Sequence, residues 1–519
     1  MKKLQQAFVV IAILILMAQM SRSSTIAHDQ IMTDSLILCL ENEELESSAF
    51  SGYNLFIRNE LTEGPVDRKI LISNLNNDII YEKPLITNEN LLDIELYNST
   101  TILYGSNEGV ILWNFETNVT VQFDFTGHHE IEVNYLNDTF LTLVAYDREI
   151  ENVTYNYDLI NEYDSNGDLV RSIDTRDFVE PWQLCPYVII TGQTVDITHA
   201  NSFIFDEEEK AIYLNCRNLN TFYKIDYVTG EVIWGLGEYG NFTLYDIYGN
   251  PRENLFYHSH ALDRIDKNTF ILFDNDYHNQ TDALNQHSRY VEITIDEEKM
   301  CANTTWEWIG PIEYWSPIWG DCNRLANQNR LGVFSRTKYQ GDPAGSRVVE
   351  VDNEGKVLWE YVSPYGETIY SIYRIERIRL SPIVSRPSLK EENQTLSFEW
   401  QIWYNFKSKT NFTGKYYLYL DNHQISTGDF IFPKYWEPIQ LNYSLDMLGS
   451  GKHTISLIVE DEGGHLSNES AFYPGAYVYE IKNVHNVNLD LISGIILPIV
   501  FSYLMLRKKE KKKRTNQSK

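Results

Sequence analysis

Between residues 30 and 480 the apolar positions fall in short runs rich in Ile, Val, Tyr, Phe and Trp, separated by Asp, Asn and Gly. Few of these segments carry the 3.6-residue period of an amphipathic helix, so the pattern predicts strands and turns almost throughout. Only two apolar runs are longer. Phe8 to Met17 follows the charged start Met1-Lys2-Lys3, and Leu489 to Leu506 is followed at once by a block of lysines and arginines.

Within the strand-rich region a hairpin recurs: a strand ending in an apolar residue and Asp, a Gly turn, then a strand ending in Trp. It reads Gly109-Val-Ile-Leu-Trp113, Tyr163-Asp-Ser-Asn-Gly-Asp-Leu-Val170 and Ile225-Asp-Tyr-Val-Thr-Gly-Glu-Val-Ile-Trp234. Stretched copies run from Ile295 to Trp308 and from Val351 to Trp359, and Ile70 to Leu85 is a degenerate earlier one. A period near 60 residues accommodates four strands of ordinary length with their turns, which is one blade of a β-propeller. Six such blades are predicted over residues 35–380. A second recurring unit lies upstream of each hairpin, at His129, His199, His260 and Asp321, in steps of 70, 61 and 61 residues. The first strand of a blade lines the central channel, so one residue per blade at its mouth forms a ring, and three of these four are histidines. Eighteen residues further on lie Asp147, Arg217, His278 and Tyr339, of which Arg217 and His278 are expected to add donors to the same pocket.

From residue 382 to 484 strict alternation takes over, as in Leu396-Ser-Phe-Glu-Trp-Gln-Ile-Trp403. That stretch predicts a small β-sandwich of immunoglobulin or fibronectin type. The ends complete the picture. Residues 1–24 have the layout of a secretory signal. Residues 487–506 are long enough for one membrane helix, and the basic tail 507–519 marks its cytoplasmic side. The expectation is a single-pass cell-membrane protein whose all-β ectodomain lies outside the cell.

The net charge of −30 argues against nucleic acid, which needs a positive surface, and makes any local cluster of His and Arg conspicuous. Eleven Asn-X-Ser/Thr sequons, from Asn98 to Asn468, fit an exported, glycosylated surface. The five cysteines have no zinc-type spacing; in an oxidising compartment Cys185–Cys216 and Cys301–Cys322 are the expected pairs. Three histidines can bind zinc, yet no local metal motif is present, so no metal or other cofactor is expected.

The chain resembles the arylsulfotransferase family, the arylsulfate sulfotransferases built on a six-bladed propeller. The resemblance rests on Asp196-Ile-Thr-His-Ala-Asn-Ser-Phe203 with Asn215-Cys-Arg-Asn218, and on Thr229-Gly-Glu-Val-Ile-Trp-Gly-Leu-Gly237. His260-Ala with Phe273-Asp-Asn275, Ser288-Arg-Tyr-Val-Glu292, Trp315-Ser-Pro317 and Tyr373-Arg-Ile-Glu-Arg377 follow in the family's order. It implies nucleotide-independent sulfuryl transfer from an aryl sulfate ester to a phenol, through a transiently sulfated histidine. His199 and His260 match family histidines, and Arg217 and Arg289 match motif arginines. The family's nucleophilic histidine follows the Ser-Pro motif, and here Leu331-Gly-Val-Phe-Ser-Arg-Thr-Lys-Tyr339 contains none. His260 is therefore the expected nucleophile, with His199 as base. His129, His278, His258, Asp321 and Arg336 are the expected substrate-binding residues. The chemistry is reasonable on its own terms. A sulfate ester gains charge on its departing oxygen, Arg and His donors stabilise that charge, and a neutral imidazole is a competent nucleophile. The alternative is a non-catalytic cell-surface propeller that binds an anionic ligand, a glycan or a protein partner.

Overall fold

The computed structural model describes residues 49–60, 68–85, 93–106, 109–183, 185, 187, 194–278, 286–339, 342–343, 345–363, 369–392, 395–404, 411–432, 438–446, 448–469 and 474–481. It is all-β, with 62% of residues in strands and 3% helical. Among the described residues no helix is long and apolar enough to cross a membrane. The expected leader, membrane span and basic tail, with Cys39, lie outside the described residues.

The described residues between 53 and 378 form six sheets built on four antiparallel strands, two of them with short additions that pair in parallel, and one separate two-stranded ribbon of Lys338–Tyr339 and Asp342–Pro343. The second runs Ile94–Asn98, Thr101–Ser106, Gly109–Asn114, Val119–Phe123, each strand pairing with the next. The third begins at His128–Asn134, the fourth at Ala200–Asp206, the fifth at His260–Asp266 and the sixth at Asp321–Arg324, and all four follow the same four-strand order. The first sheet differs. Tyr53–Glu60, Arg68–Ser73 and Ile79–Leu85 are completed by Tyr370–Ile378 from the far end of the region, which pairs antiparallel with Tyr53–Glu60. First strands of neighbouring sheets touch one another from the third sheet round to the closing strand. This order, with its ends joined through one shared sheet, is consistent with a propeller.

From the third sheet to the sixth the recurring hairpin is the third and fourth strand, whereas the copy expected at Gly109–Trp113 lies within the single strand Gly109–Asn114; where the hairpin forms, its Asp has a local task. Asp164 Oδ1 accepts the N–H groups of Asn166 and Asp168, both at 2.9 Å. Asp352 Oδ1 accepts those of Glu354 and Lys356 at 3.1 and 2.8 Å. The Gly that follows takes the left-handed conformation the turn needs, with φ +86° at Gly167 and +82° at Gly355.

At the hub, Arg374 of the closing strand meets three buried carboxylates: Asp93 and Glu95 from the second sheet, at 3.1 and 3.2 Å, and Glu130 from the third, at 2.6 Å. Two further sheets follow in the chain. Thr395–Trp403 alternates buried and half-exposed positions, and its Leu396, Phe398, Trp400 and Ile402 pack with Leu418, Phe432, Leu457 and Val459 of the facing sheet. This body touches the second sheet's turn through His465 Nε2 and Glu116 Oε1, 3.0 Å apart.

The expected disulfides do not form. Cys185, Cys216, Cys301 and Cys322 are all free thiols. Cys216 packs into a core with Leu143, Phe203 and Leu219. Cys301 and Cys322 belong to different sheets.

Candidate functional site

The ring positions owe their aim to irregular backbone at the mouths of three successive first strands. In the third sheet the pairing register slips between His128 and Ile131, in the fourth between Ala200 and Ser202, and in the fifth between His260 and Asp263. Such bulges re-aim side chains. The residues at or beside them lie at positive φ: His129 at +64°, His199 at +43°, His258 at +54° and Ala261 at +52°. Backbone of this kind is sparsely populated by non-glycine residues and concentrates at functional sites.

The result is a cavity of about 210 Å³ lined by His199, Arg217, His258, His260, Tyr277 and Trp319, among others. Three sheets and the loop before the sixth contribute to it. His129 adjoins its edge, with its ring against that of His199 (centroids 5.3 Å apart, planes at 68°). Tyr373 of the closing strand lies beneath, its ring 5.9 Å from both His129 and His260 and 5.5 Å from Trp319.

Hydrogen bonds assign the ring nitrogens. Asn275 Nδ2 donates to the carbonyls of Ser316 and Trp319, both at 2.7 Å, so its Oδ1 is the atom facing His260 Nδ1 at 2.7 Å. His260 therefore carries its proton on Nδ1, and its Nε2 accepts the Trp319 N–H at 3.3 Å. His199 is held differently. Its Nδ1 bonds the carboxylate of Asp196, so Nδ1–H donates there and Nε2 is directed away from that partner. Asp196 ends the short strand Thr194–Asp196, which pairs in parallel with the third sheet. His258 is fully buried, with Nε2 3.2 Å from Cys185 Sγ. Burial, reinforced by neighbouring cations, holds His129, His258 and His260 well below the ordinary histidine pKa. All three are neutral at pH 7.

Arg217 supplies the charge. Its Nη1 donates to Asn218 Oδ1 at 2.7 Å and its Nη2 reaches the Pro317 carbonyl at 3.4 Å. Among the described residues no carboxylate forms an ion pair with it. Burial pushes its pKa down to about 10, so it remains a cation at pH 7. In a chain of net charge −30, this places a buried cation in the cavity wall, with the Asp196 carboxylate lining the same cavity.

The other expected residues are placed elsewhere. Arg289 is engaged by Asp274 at 2.8 Å, by Glu307 and by the Leu255 carbonyl. It lines a second cleft of about 710 Å³ with His278, which pairs with Asp276 at 2.8 Å. Neither joins the ring, although His278 was expected to add a donor there: Tyr277 faces the first cavity, and its neighbours Asp276 and His278 face the second. Asp321 is buried, and its Oδ2 accepts the N–H of Ile375 at 3.0 Å and an Asn323 amide hydrogen at 3.1 Å, which fastens the closing strand. Arg336 lies over the Trp319 ring, 5.2 Å from its centroid. In the sixth sheet, Leu331, Val333 and Phe334 are core residues. Asp196, Asn275, Trp319 and Tyr373 escaped the sequence reading as site residues. Asp196 and Asn275 lie inside the motifs already singled out, and Trp319 sits two residues before a ring position. Tyr373 reaches the axis only through closure of the first sheet.

Among solved structures the chain is similar to a protein of unknown function from Bacteroides caccae (13% identity, covering 63% of this chain and 98% of that one, TM-score 0.37). It is also similar to a putative 6-phosphogluconolactonase from Bacteroides fragilis (9% identity, 76% and 98% coverage, TM-score 0.35). A third is the hydrazine synthase of Kuenenia stuttgartiensis (10% identity, 62% and 79% coverage, TM-score 0.30). No curated protein matches. Residues 83–374, more than half of the chain, match the arylsulfotransferase (ASST) family model, and the protein belongs to that family.

Proposed function

We propose that the chain transfers a sulfuryl group from an aryl sulfate ester to a phenol, in a cavity at the mouth of a six-bladed propeller. The observation that carries this reading is Arg217, a buried cation without a carboxylate partner among the described residues, set beside neutral histidines in a strongly acidic protein. The sulfuryl oxygens bind Arg217 by charge-assisted hydrogen bonds. His199 Nε2 attacks sulfur, the bond from sulfur to the aryl oxygen breaks, and its electron pair leaves with that oxygen. The acceptor oxygen then attacks the same sulfur, and the S–N bond electrons return to His199.

The hydrogen bonds favour His199 for this attack over His260, the expectation from sequence. The Nε2 lone pair of His260 already receives the Trp319 N–H. Among the described residues nothing bonds that of His199, and Asp196 on its far nitrogen stabilises the cationic ring that forms on sulfation. Full-length protein incubated with an aryl sulfate and a phenol, then analysed by mass spectrometry, is expected to carry sulfo-histidine at His199. His199→Gln is expected to lack both the modification and turnover, and full activity in that variant refutes the assignment. If wild-type protein binds the aryl sulfate without turnover, the non-catalytic anion-binding reading replaces this one.

We also propose that the ectodomain is exported and anchored through residues 487–506, with the sandwich as a stalk. The support is the apolar run followed by the basic block. Protease added to intact cells is expected to remove the ectodomain; its full protection rules this topology out.

A further inference from the structure

Beside the cavity lies a chain of groups that the reaction above leaves without a task. His128 Nδ1 is 2.8 Å from His129 Nδ1, so one proton is shared between the two rings. His128 Nε2 is 3.1 Å from Asp158 Oδ1. The other oxygen of Asp158 accepts the Thr198 hydroxyl and the Ala200 N–H, both at 2.6 Å. These two residues flank His199. The same carboxylate thus orients His128 and fixes the backbone that presents His199.

The protonation pattern follows. Burial alone would raise the Asp158 pKa, but the hydrogen bonds from His128, Thr198 and Ala200 outweigh it and hold the group below its ordinary value. It is a carboxylate, so His128 donates through Nε2–H. With Nε2–H committed to Asp158, His128 Nδ1 accepts the Nδ1–H of His129, and the lone pair of neutral His129 lies on Nε2, its ring against that of His199.

We propose that His129 is the acid–base group of the transfer, with His128 and Asp158 as its positioning relay. The proposal rests on the sulfotransfer reading. As the acceptor oxygen attacks sulfur on His199, its phenolic proton passes to His129 Nε2. The Nδ1 proton of His129 moves to His128, which becomes an imidazolium beside the Asp158 carboxylate. His129 is left neutral. In the next cycle the movement reverses, and His129 Nε2–H protonates the departing phenolate. One proton is stored between half-reactions and none is gained or lost overall.

The surroundings of His129 disfavour a lasting charge on it. Burial does so most, followed by His128, His199, His260 and Arg374, and Tyr373 packs on it without a negative charge. His128 faces Asp158 instead, and its side chain is 30% exposed.

The test uses full-length protein, a nitrophenyl sulfate donor and a series of phenol acceptors of graded acidity. An acceptor with a pKa near 10 needs a base at pH 7, whereas one already ionised does not. In wild type the transfer rate is expected to depend weakly on acceptor acidity. In His128→Gln it is expected to fall by about 10²-fold for the weakest acids and progressively less for stronger ones. His128→Phe keeps a ring against His129 and removes both nitrogens; it is expected to give the same steepened dependence. An equal loss across the series, or no loss, overturns the relay. Absence of nitrophenol release from the donor by wild type, with or without acceptor, overturns the sulfotransfer reading and the relay with it.

Discussion

Arg217→Gln separates the binding role of this residue from any structural one, because the two predict opposite signs. Arg217 is 9% exposed, and burial lowers its pKa from the ordinary arginine value to about 10. That shift corresponds to roughly 3 kcal/mol by which the fold disfavours the charged side chain. Glutamine removes the charge and with it the bond to Asn218 Oδ1, worth about 1.5–3 kcal/mol for a charged donor, while the 3.4 Å approach to the Pro317 carbonyl is too long to add much. The empty protein is therefore expected to gain up to roughly 1.5 kcal/mol in stability. Affinity moves the other way. A hydrogen bond to a charged group contributes about 1.5–3 kcal/mol, so the dissociation constant for the anion rises roughly 10- to 150-fold. An aryl sulfonate, with carbon in place of the bridging oxygen, cannot transfer its group and serves as the probe. Calorimetric titration measures the affinity, and denaturant unfolding without ligand measures the stability. Loss of stability together with affinity refutes the reasoning, since it means the charge supports the fold; unchanged affinity refutes it equally.

Acid sensitivity is expected from the three buried histidines His129, His258 and His260, all with pKa values well below the ordinary value in the folded state. Each contributes stability that is complete above pH 6.5 or so, the unfolded pKa, and lost as pH falls below it, by up to about 1.4 kcal/mol per pH unit. His465 and His278, raised by their carboxylate partners, act in the opposite sense. Unfolding midpoints measured between pH 7.5 and 5 are expected to drop, and His260→Gln is expected to reduce that drop; an unchanged slope contradicts the assignment. At the hub, Arg374→Met leaves Asp93, Glu95 and Glu130 without their shared cation. A cost of about 3–5 kcal/mol in chemical unfolding is expected, and a change below about 1 kcal/mol means that the carboxylates are neutralised in another way.

The sequence by itself determined the strand-and-turn character of the chain, the phase of its repeat and the ring positions at the mouths of successive sheets. All three are encoded locally: by alternation of apolar and polar residues, by an Asp whose side chain accepts nearby N–H groups, and by a Gly at positive φ. His199, His260 and Arg217 were legible because equal phase in a closed repeat brings residues together. Four matters were decided only by the tertiary structure. The cysteines stay apart because strand packing, not proximity in sequence, sets where each Sγ points. Arg289 and His278 turn to another cleft because Asp274 and Asp276 capture them there. The roles of His199 and His260 differ through partners at Asp196, Asn275 and Trp319, and a histidine's spacing carries no record of which nitrogen will hold the proton. Closure of the first sheet by Tyr370–Ile378 brings Tyr373 and Arg374 to the axis. That pairing joins residues more than 300 positions apart, and no local pattern can specify it; it follows from the last sheet meeting the first when the ring of sheets closes.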